Sequence, residues 1–404
     1  MKIAIIGGGA AGFFAAINIK ENHPESDVVI FEKSQFLLSK VRVSGGGRCN
    51  LTNNCTGIKE LSTAYPRGGN ALKKAFRHFD HTDAIHWFES RGVPLVTQED
   101  NCVFPSSQNS QSIIDCFLEQ AAKANIKIEL GMGVKAITPI GVQLQLDFVG
   151  TRNPVRIFDK VIVTTGGSPR KEGLRWLEKL GHHIESPVPS LFSFKIADDP
   201  ITELMGIVVE KALVSIQGTR LRSAGPLLVT HWGLSGPAIL TLSSLGARWL
   251  NERNYHCNIQ VNWTNLRNQE DVLAQLNNIA NAHPKKLLAN LRPFSVPDRL
   301  WNYLLEKSGL SINRKWGEIG KTGFNKLINV LTNDVYAITG QTQFRDEFVT
   351  CGGVSLDSID INTMQSKACK NLYFAGEVMD IDGVTGGYNF QAAWTTAFIA
   401  AKLN

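Results

Sequence analysis

Apolar positions in this chain come in short blocks separated by glycine. The first, Lys2 to Ile6 (KIAII), is apolar and partly β-branched and predicts a buried strand. It runs into Gly7-Gly8-Gly9-Ala10-Ala11-Gly12 and then into a helical stretch, FFAAINIKEN. Asp27 to Phe31 (DVVIF) reads as a second strand with Glu32 at its tip, Val161 to Gly167 (VIVTTGG) as a third, and Asn371 to Phe374 (NLYF) as a fourth. After the last strand come a glycine-punctuated loop and a helix from about Asn389. Ser190 to about Asn265 alternates as short strands with glycine breaks, whereas Gln269 to about Thr342 turns helical. Strands alternating with helices at both ends predict an α/β fold with a parallel sheet.

Strand, glycine turn, helix, strand and terminal acid form a dinucleotide-binding pattern, with Glu32 twenty positions after Gly12. In that pattern Gly7 permits the tight turn, Gly9 lets a pyrophosphate approach the main chain, and Gly12 lets helix and strand pack closely. The helix N-terminus meets the phosphates with free N–H groups, and Glu32 accepts from ribose hydroxyls. A glycine turn without a ligand is the competing reading. The C-terminal stretch AGEVMDIDGVTGGYNFQAAW chooses the nucleotide. It places Glu377, Asp380 and Asp382 and then Gly386-Gly387 before a second helix N-terminus. Such a helix would aim its positive end at the N1–C2=O edge of a flavin, and an acid of the loop would hold ribityl hydroxyls. Three sites at strand ends fit FAD better than NAD.

Four blocks carry a resemblance: SGGGRCNLTN (44–53), THWGLSGPAIL (230–240), VTCGGVSLDSID (349–360) and GEVMDIDGVTGGYNFQAAW (376–394). Together they resemble the BaiN/RdsA flavoproteins, NAD(P)/FAD-dependent oxidoreductases, in family order over nearly the whole chain. The resemblance implies a Rossmann-like FAD-binding domain (1–189 and 345–404) interrupted by a small β-rich domain (190–268) and a helical basic insert (269–344). It implies Gly7, Gly9, Gly12, Glu32 and Lys33 on the adenosine side, with Ala10 and Ala11 also in the expected cofactor set. Lys40, Ser44, Gly45, Gly46, Gly47, Arg48, Cys49, Gly386, Gly387, Tyr388 and Asn389 would surround the flavin. Val134, Thr165, Gly166, Gly376, Glu377 and Asp382 complete the expected cofactor set. Two stretches depart from the family: Leu38-Ser39-Lys40 replaces the usual Gly-Arg-Lys, and a short SPRKEG loop follows Gly167. NADH or NADPH is the expected electron donor.

Two residues are candidates for the chemistry itself. Arg48 can reach a phosphate or the flavin carbonyl edge. Cys49 is either a proton donor beside the flavin or a small residue that packs. With no CxxC pair there is no dithiol redox centre, and no histidine spacing calls for a metal. No second GxGxxG follows a strand between about 190 and 345, so a nicotinamide donor would dock transiently.

Composition adds a location and a partner. The 43% apolar and 19% charged fractions are those of a globular chain. The seven cysteines suggest no disulfide framework, and there is neither a secretory leader nor an apolar run of about 18 residues. A cytoplasmic protein is expected. Between Lys285 and Val330 nine bases face three acids, an excess equal to the whole formal net charge of +6. Lys285, Lys286, Arg292, Arg299, Arg314, Lys315 and Lys321, interleaved with Trp301, Tyr303 and Trp316, suggest a handle for ribosomal RNA, or else a solvated helical face over a core. Three functions follow: reduction of uridine to dihydrouridine in ribosomal RNA, reduction of small enones such as oxo-bile acids, or a non-enzymatic flavin-bearing RNA-binding or redox-sensing module.

Overall fold

Strand β1 (Lys2–Ile6) is the middle of a parallel sheet, because Ile3, Ala4, Ile5 and Ile6 are buried on both of its faces. The computed structural model describes residues 1–150, 155–342 and 349–404. Helix α1 (Ala10–Asn22) follows β1, then β2 (Asp27–Glu32), β3 (Lys127–Leu130), β4 (Lys160–Val163), β5 (Leu372–Phe374) and helix α2 (Tyr388–Ala400). The parallel order is β5-β4-β1-β2-β3, with two short antiparallel strands beyond β5. Helix α1 is apolar around most of its circumference, as a helix covered on all sides must be. Its Phe14 ring lies 5.3 Å from Trp394 of α2, and Phe88 and Phe117 close the same aromatic cluster.

The carboxyl ends of the strands share one edge. The ladder continues one residue past each strand, through Gly7 N–H to Phe31 O (2.8 Å), Thr164 N–H to Ile6 O (2.9 Å) and Ala375 N–H to Val163 O (3.1 Å). That edge is where ligands of open α/β sheets bind.

The chain divides into two compact units, Met1–Ser190 with Phe344–Asn404, and Leu191–Gln343. The expected boundary at 344/345 lies outside the described residues. In the second unit a seven-stranded sheet runs in the order Asp334–Ile338, Cys257–Asn262, Val208–Ile216, Arg222–Thr230, Gly233–Ser235, Ser193–Lys195, Gly340–Thr342. Helices Pro237–Leu245 and Ala247–Glu252, inside the stretch read as β-rich, and Gln269–Ala282, Asp298–Lys307 and Gly320–Thr332 pack on it. The stretch read as helical to about Thr342 therefore ends at Thr332. DVYAI, alternately buried and exposed, pairs antiparallel with Cys257–Asn262. That returning strand explains why the β-rich and helical stretches, read apart in the sequence, share one core in which Leu276, Leu300 and Leu327 join Ile259, Val261 and Tyr336.

Candidate functional site

At the β1–α1 turn the three glycines do different work. A Cβ at Gly7, whose φ is +118°, would lie 2.4 Å from Thr164 O; one at Gly12 would lie 2.0 Å from Gly7 O and 2.9 Å from Thr164 Oγ1. Those positions are closed by backbone packing. Gly9 is the opposite: a Cβ there meets nothing within 4 Å. Gly9 caps α1 without a side-chain hydrogen bond, and the first turn holds no acid, so the free N–H groups and positive end of the helix face that space. Glu32 lies beside it, accepting from Gly8 N–H (2.8 Å) and Ser34 N–H (2.9 Å) with lone pairs to spare. Lys33 is exposed beyond it.

The second glycine block ends the segment Ser39–Gly47. Lys40 lies on its first turn, and the helix unravels at Ser44, where ψ is 148°. Gly45, Gly46 and Gly47 all take left-handed φ angles (+58°, +68° and +83°), a conformation that L side chains adopt at a cost of about 1–2 kcal/mol. Above Gly46 there is open space. Arg48 is fixed from three sides: its Nε donates to Gly45 O (3.2 Å), its Nη1 to Gln108 Oε1 (3.2 Å), and its guanidinium lies 4.1 Å from the Phe104 ring centroid. Cys49 sits beneath, 0% exposed, and burial pushes its thiol up to about 12 while Ser44 pulls slightly the other way. The thiol is fully enclosed. Leu38, standing where the resemblance expects glycine, is buried at a left-handed φ of +55° and donates its N–H to Gly8 O (2.9 Å).

The C-terminal stretch meets both blocks. A Cβ on Gly376 would sit 3.0 Å from the Ala11 Cβ of α1. Trp394 Nε1 donates to Leu51 O (3.0 Å), and the Thr52 hydroxyl donates to Gln391 Oε1 (2.6 Å). Gly387 caps α2 without a side-chain bond from itself, and its N–H meets the Asn50 amide oxygen at 3.2 Å. Asn389 clasps Gly383 through both backbone groups (2.9 and 3.0 Å), and the Tyr388 carbonyl accepts from Tyr65 OH (2.6 Å). Glu377 pairs with Lys40 (2.5 Å), accepts from Thr350 N–H (2.9 Å) and faces Gly166 and Gly167. The Thr350 hydroxyl beside it is fully buried and has no hydrogen-bond partner among the described residues.

Three expectations are placed differently. Asp382, read as a holder of cofactor hydroxyls, is 0% exposed and engaged by both Arg67 nitrogens, Nε at 2.6 Å, and by Ser190 Oγ at 2.9 Å. Burial raises its pKa and Arg67 opposes the rise. Thr165 is exposed, and the neighbouring Thr164 makes the contacts with Gly7 and Gly12. Val134 opens the antiparallel strand Val134–Ile140, half-buried beside Gly133. Arg67 carries no motif; Thr350 lies in the VTCGGVSLDSID block and Thr164 in VIVTTGG, neither of them singled out by residue type.

The residues present fit a dinucleotide-like flavin: an open space over Gly9, two helix starts without side-chain caps of their own, and an orphaned buried hydroxyl lie along one sheet edge and the blocks packed on it. The family described as HI0933-like protein Rossmann domain matches residues 1–403. The chain belongs to this family. It is the BaiN/RdsA family of FAD-dependent oxidoreductases. Among its similar proteins is a 3-dehydro-bile acid delta(4,6)-reductase of Clostridium scindens, 25% identical over 99% of this chain and 98% of that protein. Another is a ribosomal RNA dihydrouridine synthase of Haemophilus influenzae, 28% identical over 98% and 96%. The solved 3-ketosteroid-delta4-(5alpha)-dehydrogenase of Rhodococcus jostii, in complex with 4-androstene-3,17-dione, shares the fold at a TM-score of 0.51 and 12% identity, covering 99% of this chain and 96% of that one.

In this family member the basic residues of the second unit divide. Lys285, Lys286, Arg314, Lys315 and Lys321 are exposed. Arg292 pairs with Asp298 (2.7 Å), and Arg299 donates to Glu203 O (2.8 Å). The interleaved aromatics are not surface platforms: Trp301 and Trp316 are fully buried and stacked at 6.2 Å, and Tyr303 is half-buried with its hydroxyl on Asp199 (3.3 Å). No helix among the described residues is long and apolar enough to cross a membrane.

Proposed function

We propose that the chain is a flavin-dependent reductase that binds FAD along the β1–α1 turn and between the two later glycine blocks, and that it reduces uridine to dihydrouridine in ribosomal RNA at the expense of NADH or NADPH. The observation that carries this reading is the meeting of three glycine stretches, the last more than 300 residues from the other two in sequence, through the Gly376–Ala11 and Trp394–Leu51 contacts. FAD, when bound, supplies reversible two-electron hydride chemistry.

The chain's own residues bind and orient. Gly9, Ala10 and Ala11 offer backbone N–H groups and the helix dipole to a diphosphate. Glu32 has lone pairs left for ribose hydroxyls, and Lys33 adds a cation at that end. Gly45 to Gly47 present bare backbone at which a flat ring can lie, and Arg48, held in place by Gln108 and Phe104, supplies fixed positive charge. The Gly387–Asn389 turn presents a second helix start. Lys40 and Glu377 neutralise each other beside Gly166, and the Thr350 hydroxyl is free to donate. In the net reaction uridine gains a hydride at C6 and a proton at C5 while the nicotinamide is oxidised. Cys49, enclosed and held protonated, is assigned to packing.

The choice of RNA rests on the concentrated positive charge and on the name of the Haemophilus relative. The bile acid reductase favours a second reading, a small enone. Both reactions saturate a carbon–carbon double bond conjugated to a carbonyl, so one site chemistry serves either. Nucleoside mass spectrometry on ribosomal RNA from cells with and without the gene separates them. Dihydrouridine that vanishes with the gene and returns with purified protein, FAD and NADH is the expected result. Unchanged dihydrouridine together with turnover of a conjugated oxosteroid would give the small-molecule reading.

A further inference from the structure

The seven bases expected to meet RNA are not equivalent, and their backbone setting sorts them. Residues 284–288 run beside 314–317. Leu287 and Lys315 form an isolated antiparallel bridge, flanked by Leu288 N–H to Arg314 O (2.8 Å), Trp316 N–H to Lys286 O (2.9 Å) and Gly317 N–H to Pro284 O (2.9 Å). Partners in such a bridge lie about 4.5–5.5 Å apart. Lys285 and Lys286 directly precede Leu287 on one segment, and Arg314 directly precedes Lys315 on the other, so all four lie within two residues of the bridge, and all four are exposed.

The ledge is anchored from inside. Trp301 Nε1 donates to Leu288 O (2.7 Å), and Trp316 stacks on Trp301. A Cβ on Gly317 would come within 3.0 Å of the Pro284 Cβ, so the two segments meet closely because residue 317 has no side chain. Like charges gathered on paired segments repel, and Glu318 reaches Lys315 only at 3.7 Å, across a solvent-exposed pair. Among the described residues no ion pair offsets Lys285, Lys286 or Arg314. Four cations held together on a rigid support form a surface that polyanions neutralise.

We propose that Lys285, Lys286, Arg314 and Lys315 form the contact through which this protein grips the phosphate backbone of folded RNA, an inference that rests on the RNA reading above. The contact is to phosphates rather than bases. Single-strand binders add aromatic faces on which bases stack, and here the aromatic residues of the segment support the ledge from within. Arg292 and Arg299 are excluded from the grip, because Asp298 and the Glu203 carbonyl already hold them.

The test measures binding of the full flavoprotein to protein-free ribosomal RNA over a range of salt. Each phosphate contact contributes roughly 0.7–0.9 to the slope of log affinity against log salt. The variant K285Q/K286Q/R314Q/K315Q is expected to lower the slope by about 3. A variant with the same charge change elsewhere, K59Q/K73Q/K74Q/R77Q, is expected to leave the slope within about 1 of the parent, and K285R/K286R/R314K/K315R should keep the parent slope. Parent binding with a salt slope that the first variant does not change overturns the ledge and leaves the RNA reading standing. No salt-dependent binding of RNA by the parent overturns both. Binding to intact ribosomal particles but not to their RNA gives the ledge to an acidic protein and overturns the proposal.

Discussion

Two glycine runs serve this chain for opposite reasons. In the run from Gly7 to Gly12, the first and last positions have backbone so close that any side chain collides, at 2.4 and 2.0 Å. In the run from Gly45 to Gly47 a Cβ would meet nothing nearer than 3.0 Å, yet all three residues hold left-handed φ angles. The first run is limited by packing and the second by backbone conformation. The first is held by the sheet itself, while the second and the Gly386–Gly387 turn are held by side chains: Arg48 on Phe104 and Gln108, Asn50 on Gly387, and Arg67 on Asp382.

Substitutions should separate the two. Gly12→Ala is expected to cost more than about 4 kcal/mol, because backbone must move to admit the methyl group. Chemical denaturation and the flavin absorbance of purified protein would both report the loss, and a stable yellow protein would show that the first run tolerates side chains after all. Arg67→Ala is expected to cost about 3–5 kcal/mol by leaving the Asp382 carboxylate buried without its cation. The penalty should shrink as pH falls and Asp382 takes up a proton, and R67A/D382N should recover part of it at neutral pH.

Gly46→Ala should cost only about 1–2 kcal/mol, the strain of a left-handed alanine, and Gly46→Asn less. Equal, severe losses in both variants would erase the distinction between the runs. Beneath this run, the Cys49 thiol stays protonated in the native state up to about pH 12, whereas an unfolded thiol ionises near its ordinary value of 9.0. The native state therefore keeps a proton that the unfolded state loses, and stability falls as pH rises above 9. Denaturation at pH 8 and 10 should show a drop of up to about 1.4 kcal/mol per pH unit that Cys49→Ala reduces. The smallest change in stability belongs to Gly9→Ala, within about 0.5 kcal/mol. Its methyl group fits the free chain but fills the space over the helix start, so FAD affinity should fall while the denaturation midpoint holds.

The sequence made the first run readable, because GxGxxG between a strand and a helix is a local pattern set by local sterics. The parallel strands β1, β2, β4 and β5 were readable for the same reason, as short continuous apolar blocks. Arg67 was not, since its meaning comes from Asp382, 315 positions away. Asp382 looked available for a ligand because a carboxylate's partner is invisible until the chain has folded. Trp301 and Trp316 were misleading in a similar way: interleaving with bases along the chain does not tell which face of a helix or turn is inside. DVYAI reads in sequence as part of a helical stretch because a strand of five residues leaves little periodicity to measure.

The position of α2 bears on how the chain is made. Trp394 completes an aromatic cluster begun by Phe14, and the same helix supplies the lid of contacts over Leu51 and Thr52. A ribosome releases residues 10–22 long before residues 388–400, so Phe14, Phe88 and Phe117 emerge without the Trp394 ring that packs on them. Contacts of such sequence separation form slowly, and nascent chains carrying exposed apolar surface are prone to aggregate. The nucleotide-binding half is thus complete only once α2 has arrived.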